Sequence, residues 1–196
     1  MPRLSVLLCT IALLVPSAGC SEPPQKEIDR AQQAIDAARA AGAEQYAPET
    51  YAAATAALKQ SHEAVDQRDY RLALSRAVDA GDRAQEAARE AADNKAKARH
   101  DTETAINATN AALRQLEARI KIAQEARVPS REIAPARSAV EDATAALQKA
   151  RAALSAQDLA GAQSAIEGLD DEIRSEIRVV EAATTLRTTR RAVRRR

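Results

Sequence analysis

The chain has 196 residues, enough for one domain or two small ones, and 49 of them are alanine. It has no phenylalanine or tryptophan and only three tyrosines, which excludes a thick core of large aromatic side chains around a deep pocket. The net charge is +1, but the last ten residues hold six arginines and no acid. Alanine forms helices well and buries little area, so we expect long helices packed along narrow seams.

Residues 1–19 have the three zones of a secretory signal peptide. Arg3 precedes an apolar run from Leu4 to Val15, and small residues follow Pro16. The apolar run is too short for a transmembrane helix, which needs about 20 residues. The segment therefore predicts export, followed by removal of the leader.

The residues around the predicted cleavage point are Ser17-Ala18-Gly19 followed by Cys20. They resemble the lipobox of bacterial lipoproteins, which implies cleavage before Cys20 and acyl chains such as palmitate on that residue. Ser21, in place of an aspartate, favours the outer membrane, so we expect a lipoprotein of the bacterial outer membrane that faces the periplasm. The alternative is an exported protein with a free thiol, which is unusual in an oxidising compartment.

An internal repeat organises the remainder of the chain. TAALKQ, at residues 55–60, recurs 89 residues later as TAALQK, at residues 144–149. Residues 28–90 and 115–180 are therefore predicted to be two copies of one helical unit.

In each copy, apolar residues recur at spacings of three and four, which predicts three amphipathic helices. The stripes of the first copy are Ile28, Ala31, Ile35 and Ala38; Tyr51, Ala54, Leu58 and Val65; and Tyr70, Ala73, Ala77, Ala80, Ala84, Ala87 and Ala91. Gly42 is expected to end the first helix, Pro48 to open the second and Asp69 to cap the third.

The second copy has larger apolar residues in the same plan. Its stripes are Ile106, Leu113, Leu116 and Ile120; Val140, Ala143, Leu147 and Leu154; and Leu159, Ala162, Ile166, Leu169, Ile173 and Val180, with Asp158 as the cap of the third helix. No glycine or proline lies between Gly81 and Pro129. We therefore expect one unbroken helix from Tyr70 to Arg127, in which the polar stretch at 93–104 is either a solvated helical bridge or a hinge.

The predicted fold is all-α, with two tandem antiparallel three-helix, coiled-coil-like units that share one long central helix. The expected segments are a signal peptide at 1–19, a tether at 20–27, a first unit at 28–92, a polar helical bridge at 93–104, a second unit at 105–186 and an arginine-rich tail at 187–196.

A family resemblance rests on the turn Gly-Ala-x-x-Tyr-Ala-Pro-Glu, at 42–49, and on the pair Asp69-Tyr70. These residues resemble an alanine-rich helical domain of unknown function in proteobacterial envelope lipoproteins. In that family the domain often precedes a peptidoglycan-binding domain. Here an arginine-rich segment stands in that place, so the resemblance does not imply wall binding by that route.

No residue pattern in the sequence predicts catalysis. His62 and His100 have no cysteine or paired carboxylate at a metal-ligand spacing, and no serine is paired with either of them. His62 is expected to be half-buried beside the second stripe, and His100 to be solvated. We predict no enzyme activity, no catalytic residue, no metal site and no cofactor.

The arginine-rich tail is the other feature with functional content. Its candidate docking residues are Arg187, Arg190, Arg191, Arg194, Arg195 and Arg196. Arginine forms bidentate contacts with phosphate, which favours lipopolysaccharide, membrane headgroups or an acidic envelope polymer as the partner. The alternative is that these cations only stabilise a helix end. Export argues against nucleic acid, although composition alone would fit it.

These features predict a non-enzymatic protein that is anchored to the membrane through lipid on Cys20. Its helices would act as a spacer or scaffold that presents helix faces and the basic tail to an envelope partner. A helical protein partner and self-association both stay open, because alanine seams permit either. The alternative function is a soluble periplasmic binding module or chaperone-like holdase without a lipid anchor.

Overall fold

The computed structural model describes residues 22–194, and these contain seven helices and no strand. The predicted all-α class is confirmed, and the helix packing is consistent with a bundle. The helices are α1 (Gln25–Ala40), α2 (Ala43–Tyr46), α3 (Pro48–Asp66), α4 (Tyr70–Glu125), α5 (Ser130–Ser155), α6 (Leu159–Ile166) and α7 (Leu169–Val193). None of the helices within 22–194 has an apolar stretch long enough to cross a bilayer.

The chain divides into two compact units between Arg89 and Glu90. Unit 1 contains α1, α2, α3 and the first part of α4, and unit 2 contains the remainder of α4 with α5, α6 and α7. Residues 93–104, predicted as a polar bridge, are helical and fall within unit 2. The predicted signal peptide and Cys20 lie outside the described residues.

Unit 1 packs mainly through alanine. The whole first stripe from Ile28 to Ala38 is buried, as are Tyr51, Ala54 and Leu58 of the second. The seam on α4 is buried in unit 1 at Ala73, Ala77, Ala80, Ala84 and Ala87, as the spacing predicts, while Val65 and Tyr70 are half-buried. The last predicted member of the seam, Ala91, is buried as well but belongs to unit 2. Small side chains allow helix axes to approach closely, so this core is thin.

Unit 2 has a core of larger side chains. Ile106, Leu113, Leu116 and Ile120 from α4 are all buried, and they pack with α5 residues that include Ile133 and Leu147. Leu169, Ile173 and Val180 complete this core from α7, and Val140 and Leu154 pack at its margin. The predicted core faces of this copy are therefore correct.

The helix boundaries follow local signals at most turns. Pro48 is the first residue of α3, where its missing amide leaves no bond unmade. Asp69 Oδ1 accepts a hydrogen bond from the Leu72 amide at 3.0 Å, and Asp158 Oδ1 accepts one from the Gly161 amide at 2.8 Å. Both predicted aspartate caps are present.

The third helix of the second copy differs from the prediction of one continuous helix. It is divided into α6 and α7 by Gly168, whose φ of 73° is left-handed. The position 89 residues earlier is Asp79, which lies inside the unbroken α4. Glycine adopts a left-handed conformation with little steric penalty, whereas aspartate does so at a cost, so the two copies differ here.

Candidate functional site

A surface cleft in unit 2 brings together four of the predicted docking residues and one arginine from the turn after α4. The cleft has a volume of about 330 Å³, and its lining residues are Ala126, Arg127, Arg187, Arg190, Arg191 and Arg194. We call it the arginine cleft. Arg195 and Arg196 lie outside the described residues, so their predicted role stays a prediction.

The α7 arginines continue the face of the helix that packs into the core. Ile173 and Val180 are buried and seven residues apart, and Arg187 and Arg194 follow at the same interval. Seven residues are nearly two turns at about 3.6 residues per turn, so all four residues lie close to one line along the helix. The inward face of α7 thus changes from apolar to cationic where the hydrophobic core ends.

The opposite wall of the cleft is the turn that ends α4. Glu181 of α7 pairs with Arg119 of α4 at 2.8 Å, and the cleft begins two turns further along both helices. The two helices therefore run in the same direction in unit 2, and the end of α4 lies beside the last turns of α7. Arg127 reaches the cleft because of this packing.

Arg127 has a defined backbone conformation. Its φ is 62°, its amide donates to the Gln124 carbonyl at 2.9 Å, and the Val128 amide donates to the Ala123 carbonyl at 2.9 Å. These bonds form a left-handed cap on α4, and the buried Val128 holds the turn against the core. Arg127 is not part of the predicted tail, and nothing in its local sequence marks it as a partner of residues 60 or more positions away.

The charge of the cleft is not balanced by acidic side chains. Within residues 22–194, none of these five arginines forms an ion pair. Glu181 is the last acid on the described part of α7, and it pairs with Arg119. Like charges that share one concave surface repel each other and attract anions, so the cleft is suited to a ligand with negative charge.

The helix termini provide a partial counter-charge. Arg190 and Arg191 lie in the last turn of α7, and Arg127 caps the end of α4. The carbonyl ends of both helices carry partial negative charge, which favours cations near them. Stabilisation of the helix ends and binding of an anion are thus compatible uses of the same side chains.

The arginines with a raised pKa lie elsewhere and have local partners. A hydrogen bond to Glu44 raises the pKa of Arg39, which lies near the 42–49 turn on which the family resemblance rests. A hydrogen bond to Asp170 raises the pKa of Arg174 one turn along α7. Both guanidinium groups are engaged by neighbouring carboxylates and do not contribute to the arginine cleft.

A larger groove in unit 2 is lined by polar groups that are hydrogen-bonded to each other. It has a volume of about 590 Å³ and is lined by α4 and α6 residues that include Thr102 and Gln163. Thr102 Oγ1 donates to the Ala98 carbonyl at 2.7 Å and accepts from Gln163 Nε2 at 3.2 Å. These polar groups therefore use each other as partners.

The two histidines occupy exposed helix positions. His100 is exposed on α4, as predicted, whereas the prediction of a half-buried His62 is wrong, because its position on α3 faces away from the packed stripe. In the part of the chain from 22 to 194, no three His, Cys, Asp or Glu residues are placed to hold a metal ion.

Comparison of the chain with protein-family models, with curated proteins and with solved structures finds no match. The resemblance to envelope lipoproteins stays a prediction from the residues at 42–49 and 69–70.

Proposed function

We propose that this chain is a non-enzymatic, lipid-anchored protein of the bacterial cell envelope. In this proposal Cys20 carries the anchor, the helical units act as a spacer or scaffold, and the arginine cleft docks on an anionic envelope partner. The observation that carries the docking role is the convergence of five arginines, without an acidic partner among the described residues, on one cleft of unit 2. The anchor is supported by the sequence from Ser17 to Cys20.

The physical basis of tethering is the separation of anchor and docking surface along the chain. Acyl chains on Cys20 would hold the protein at a bilayer, since each buried methylene contributes about 0.8 kcal/mol and two or more chains give stable anchoring. The arginine cleft, far from Cys20 in sequence, would then be available to a second anionic surface. This arrangement requires no chemical step.

The anchor is tested by labelling cells with a palmitate analogue. Cys20→Ala should abolish label incorporation and release the protein from the membrane fraction. Cys9→Ala is the matched control, because Cys9 lies within the predicted leader and its loss should change neither property. A Cys20→Ala protein that stays in the membrane fraction with unchanged mobility contradicts tethering and favours the unanchored binding module.

The docking role is tested by charge removal. Deletion of residues 187–196, or replacement of three cleft arginines by glutamine, should weaken envelope association most strongly at low salt, because counter-ions screen such contacts. The control replaces three exposed α5 arginines of the same unit, so that the charge lost is equal: Arg131, Arg137 and Arg151. Equal retention of both triple variants at low salt would leave only the helix-capping role.

A further inference from the structure

The last turns of α7 combine cations with exposed apolar side chains. Val179, Leu186 and Val193 recur at intervals of seven residues, so they form one line along the helix. Their exposed fractions are 50%, 57% and 74%. Large apolar side chains this exposed, in a row, are typical of a surface that meets a partner.

The threonine hydroxyl groups of the same segment donate their hydrogen bonds within α7. Thr185 Oγ1 donates to the Glu181 carbonyl, and Thr188 and Thr189 donate to the Thr185 carbonyl, each at 2.9 Å. The hydroxyl donors are thus used within α7, which is a common arrangement for threonine in helices. Residues 185–194 contain these threonines, apolar residues and arginines, and no acid.

The arginines lie to one side of the apolar line. On a helix of about 100° per residue, Arg190 lies about 40–60° from the line of Leu186 and Val193. Arg187 and Arg194 lie about 80–120° from it on the same side, and Arg191 lies about 140–160° from it. Arg127 adds a further cation from the adjacent end of α4. Long arginine side chains can extend to a polar layer while their methylene groups lie beside apolar material.

We propose that the end of α7, together with Arg127, binds the phosphate headgroups of an anionic phospholipid bilayer, with Leu186 and Val193 inserted among the lipids. A cationic side next to an apolar line is the pattern of helices that lie at a membrane interface. This inference deepens the proposed function, because it names the chemistry of the surface on which the arginine cleft docks. It does not depend on acylation of Cys20.

Two other occupants fit the described residues less well. A second copy paired along the line of Leu186 and Val193 would bring the arginines of both copies together, and residues 185–194 contain no acid to offset the repulsion. A soluble phosphorylated ligand would use the arginines and leave Leu186 and Val193 in water. An anionic bilayer would contact both the arginines, through its phosphates, and the apolar side chains of Leu186 and Val193, through its acyl chains.

The test is co-sedimentation of the full chain with vesicles of phosphatidylcholine, with and without phosphatidylglycerol. Every protein carries Cys20→Ala, so that no acyl chain contributes and any contribution of the first 21 residues is the same for all variants. We expect binding only when phosphatidylglycerol is present, and a decrease in binding as salt rises.

Arg127→Gly is the diagnostic variant, and Arg68→Gly is its matched control. Both arginines are exposed, and both have a left-handed φ, 62° and 61°, at the end of a helix. Glycine suits this conformation, so both variants should fold at least as well as the parent protein. Arg127→Gly should bind anionic vesicles about fivefold more weakly, and Arg68→Gly should bind them like the parent.

The apolar component is tested by Leu186→Ser combined with Val193→Ser. This pair should reduce vesicle binding about tenfold or more, while Leu74→Ser with Val78→Ser, on an exposed part of unit 1, should not change it. Two results would overturn the inference: equal binding by Arg127→Gly and Arg68→Gly, or full binding by the Leu186 and Val193 pair.

A separate binding measurement with inorganic polyphosphate tests whether the ligand is a soluble polyanion instead of a bilayer. If inorganic polyphosphate binds with the same arginine dependence while vesicles do not bind, the membrane assignment fails and the docking role of the proposed function survives. If neither vesicles nor polyphosphate respond to loss of the cleft arginines, docking fails as well. Palmitate labelling of Cys20 reports on the anchor in either case.

Discussion

Ser61 of α3 donates a hydrogen bond from Oγ to the backbone carbonyl of Ala73 in α4, at 2.7 Å, and both residues are fully buried. This bond joins two helices of unit 1. The equivalent positions of the second copy, 89 residues later, are Ala150 and Ala162, which are also fully buried. The first copy therefore has a side-chain hydrogen bond at a position where the second has two buried alanines.

Replacement of Ser61 by alanine removes this link without creating a large cavity. We expect the free energy of unfolding of unit 1 to fall by about 1 kcal/mol, the net contribution of a typical buried hydrogen bond. Urea denaturation followed by circular dichroism measures the change. The control is Ser155→Ala, which removes an exposed hydroxyl group and should lower the free energy of unfolding much less.

Tyr51, on the same helix as Ser61, has a buried hydroxyl group that contrasts with the hydrogen-bonded hydroxyl of Ser61. Its hydroxyl is buried and makes no hydrogen bond of standard geometry within residues 22–194, although its proximity to the Arg39 guanidinium helps to raise the pKa of Arg39. The centre of its ring lies 5.9 Å from the Arg39 guanidinium carbon. An unpartnered buried hydroxyl is destabilising. Tyr51→Phe keeps the ring and should leave the stability of unit 1 unchanged or raise it by up to ~1 kcal/mol. A clear loss of stability in the same urea titration would show that the hydroxyl has a stabilising partner.

Two glycines should respond to alanine in opposite directions. Gly168 has a φ of 73° and open space around the position of a Cβ atom, so the effect of Gly168→Ala is conformational and should cost about 1 kcal/mol. Gly81 is inside α4, and a Cβ atom there would lie 3.9 Å from Ala31 Cα, an ordinary contact. Gly81→Ala should stabilise by about 0.4–1 kcal/mol. Thermal unfolding of both variants checks the sign, and a shift in the same direction for both would contradict this account.

The two cores should respond differently to changes of side-chain volume on α4. Leu116 is fully buried among the larger side chains of unit 2, so Leu116→Ala should cost about 3 kcal/mol. Ala84 is fully buried in the alanine seam of unit 1, so Ala84→Leu should cost about 2 kcal/mol through overpacking.

Amide hydrogen exchange locates these two effects. Leu116→Ala should increase exchange in α5 and α7, and Ala84→Leu in α1 and α3, since each substitution disturbs the helices packed on its own core. Leu72→Ala, at an exposed position on α4, serves as the control and should change exchange in neither set. Increased exchange in α1 and α3 on Leu116→Ala alone would contradict this assignment of the cores.

Much of the fold follows from local features of the sequence. The interval of three and four residues identified the buried faces of unit 1 from Ile28 to Ala87, because a helix returns to the same face at that spacing. Pro48, Asp69 and Asp158 marked helix starts because their effects act on backbone groups only a few residues away. The interval failed at Gly168, since Ile166 and Leu169 keep the helical spacing although the helix breaks between them.

By itself, the amino-acid sequence determined the all-α class, the buried stripes and the abundance of arginine in residues 187–196, because each depends on composition or on neighbours within two turns. Only the tertiary structure decided that Arg127 joins those arginines. The packing of α7 beside α4, with Glu181 against Arg119, brings their ends together. Such a contact between residues at least 60 positions apart depends on how whole helices pack, and no local pattern around Arg127 encodes it.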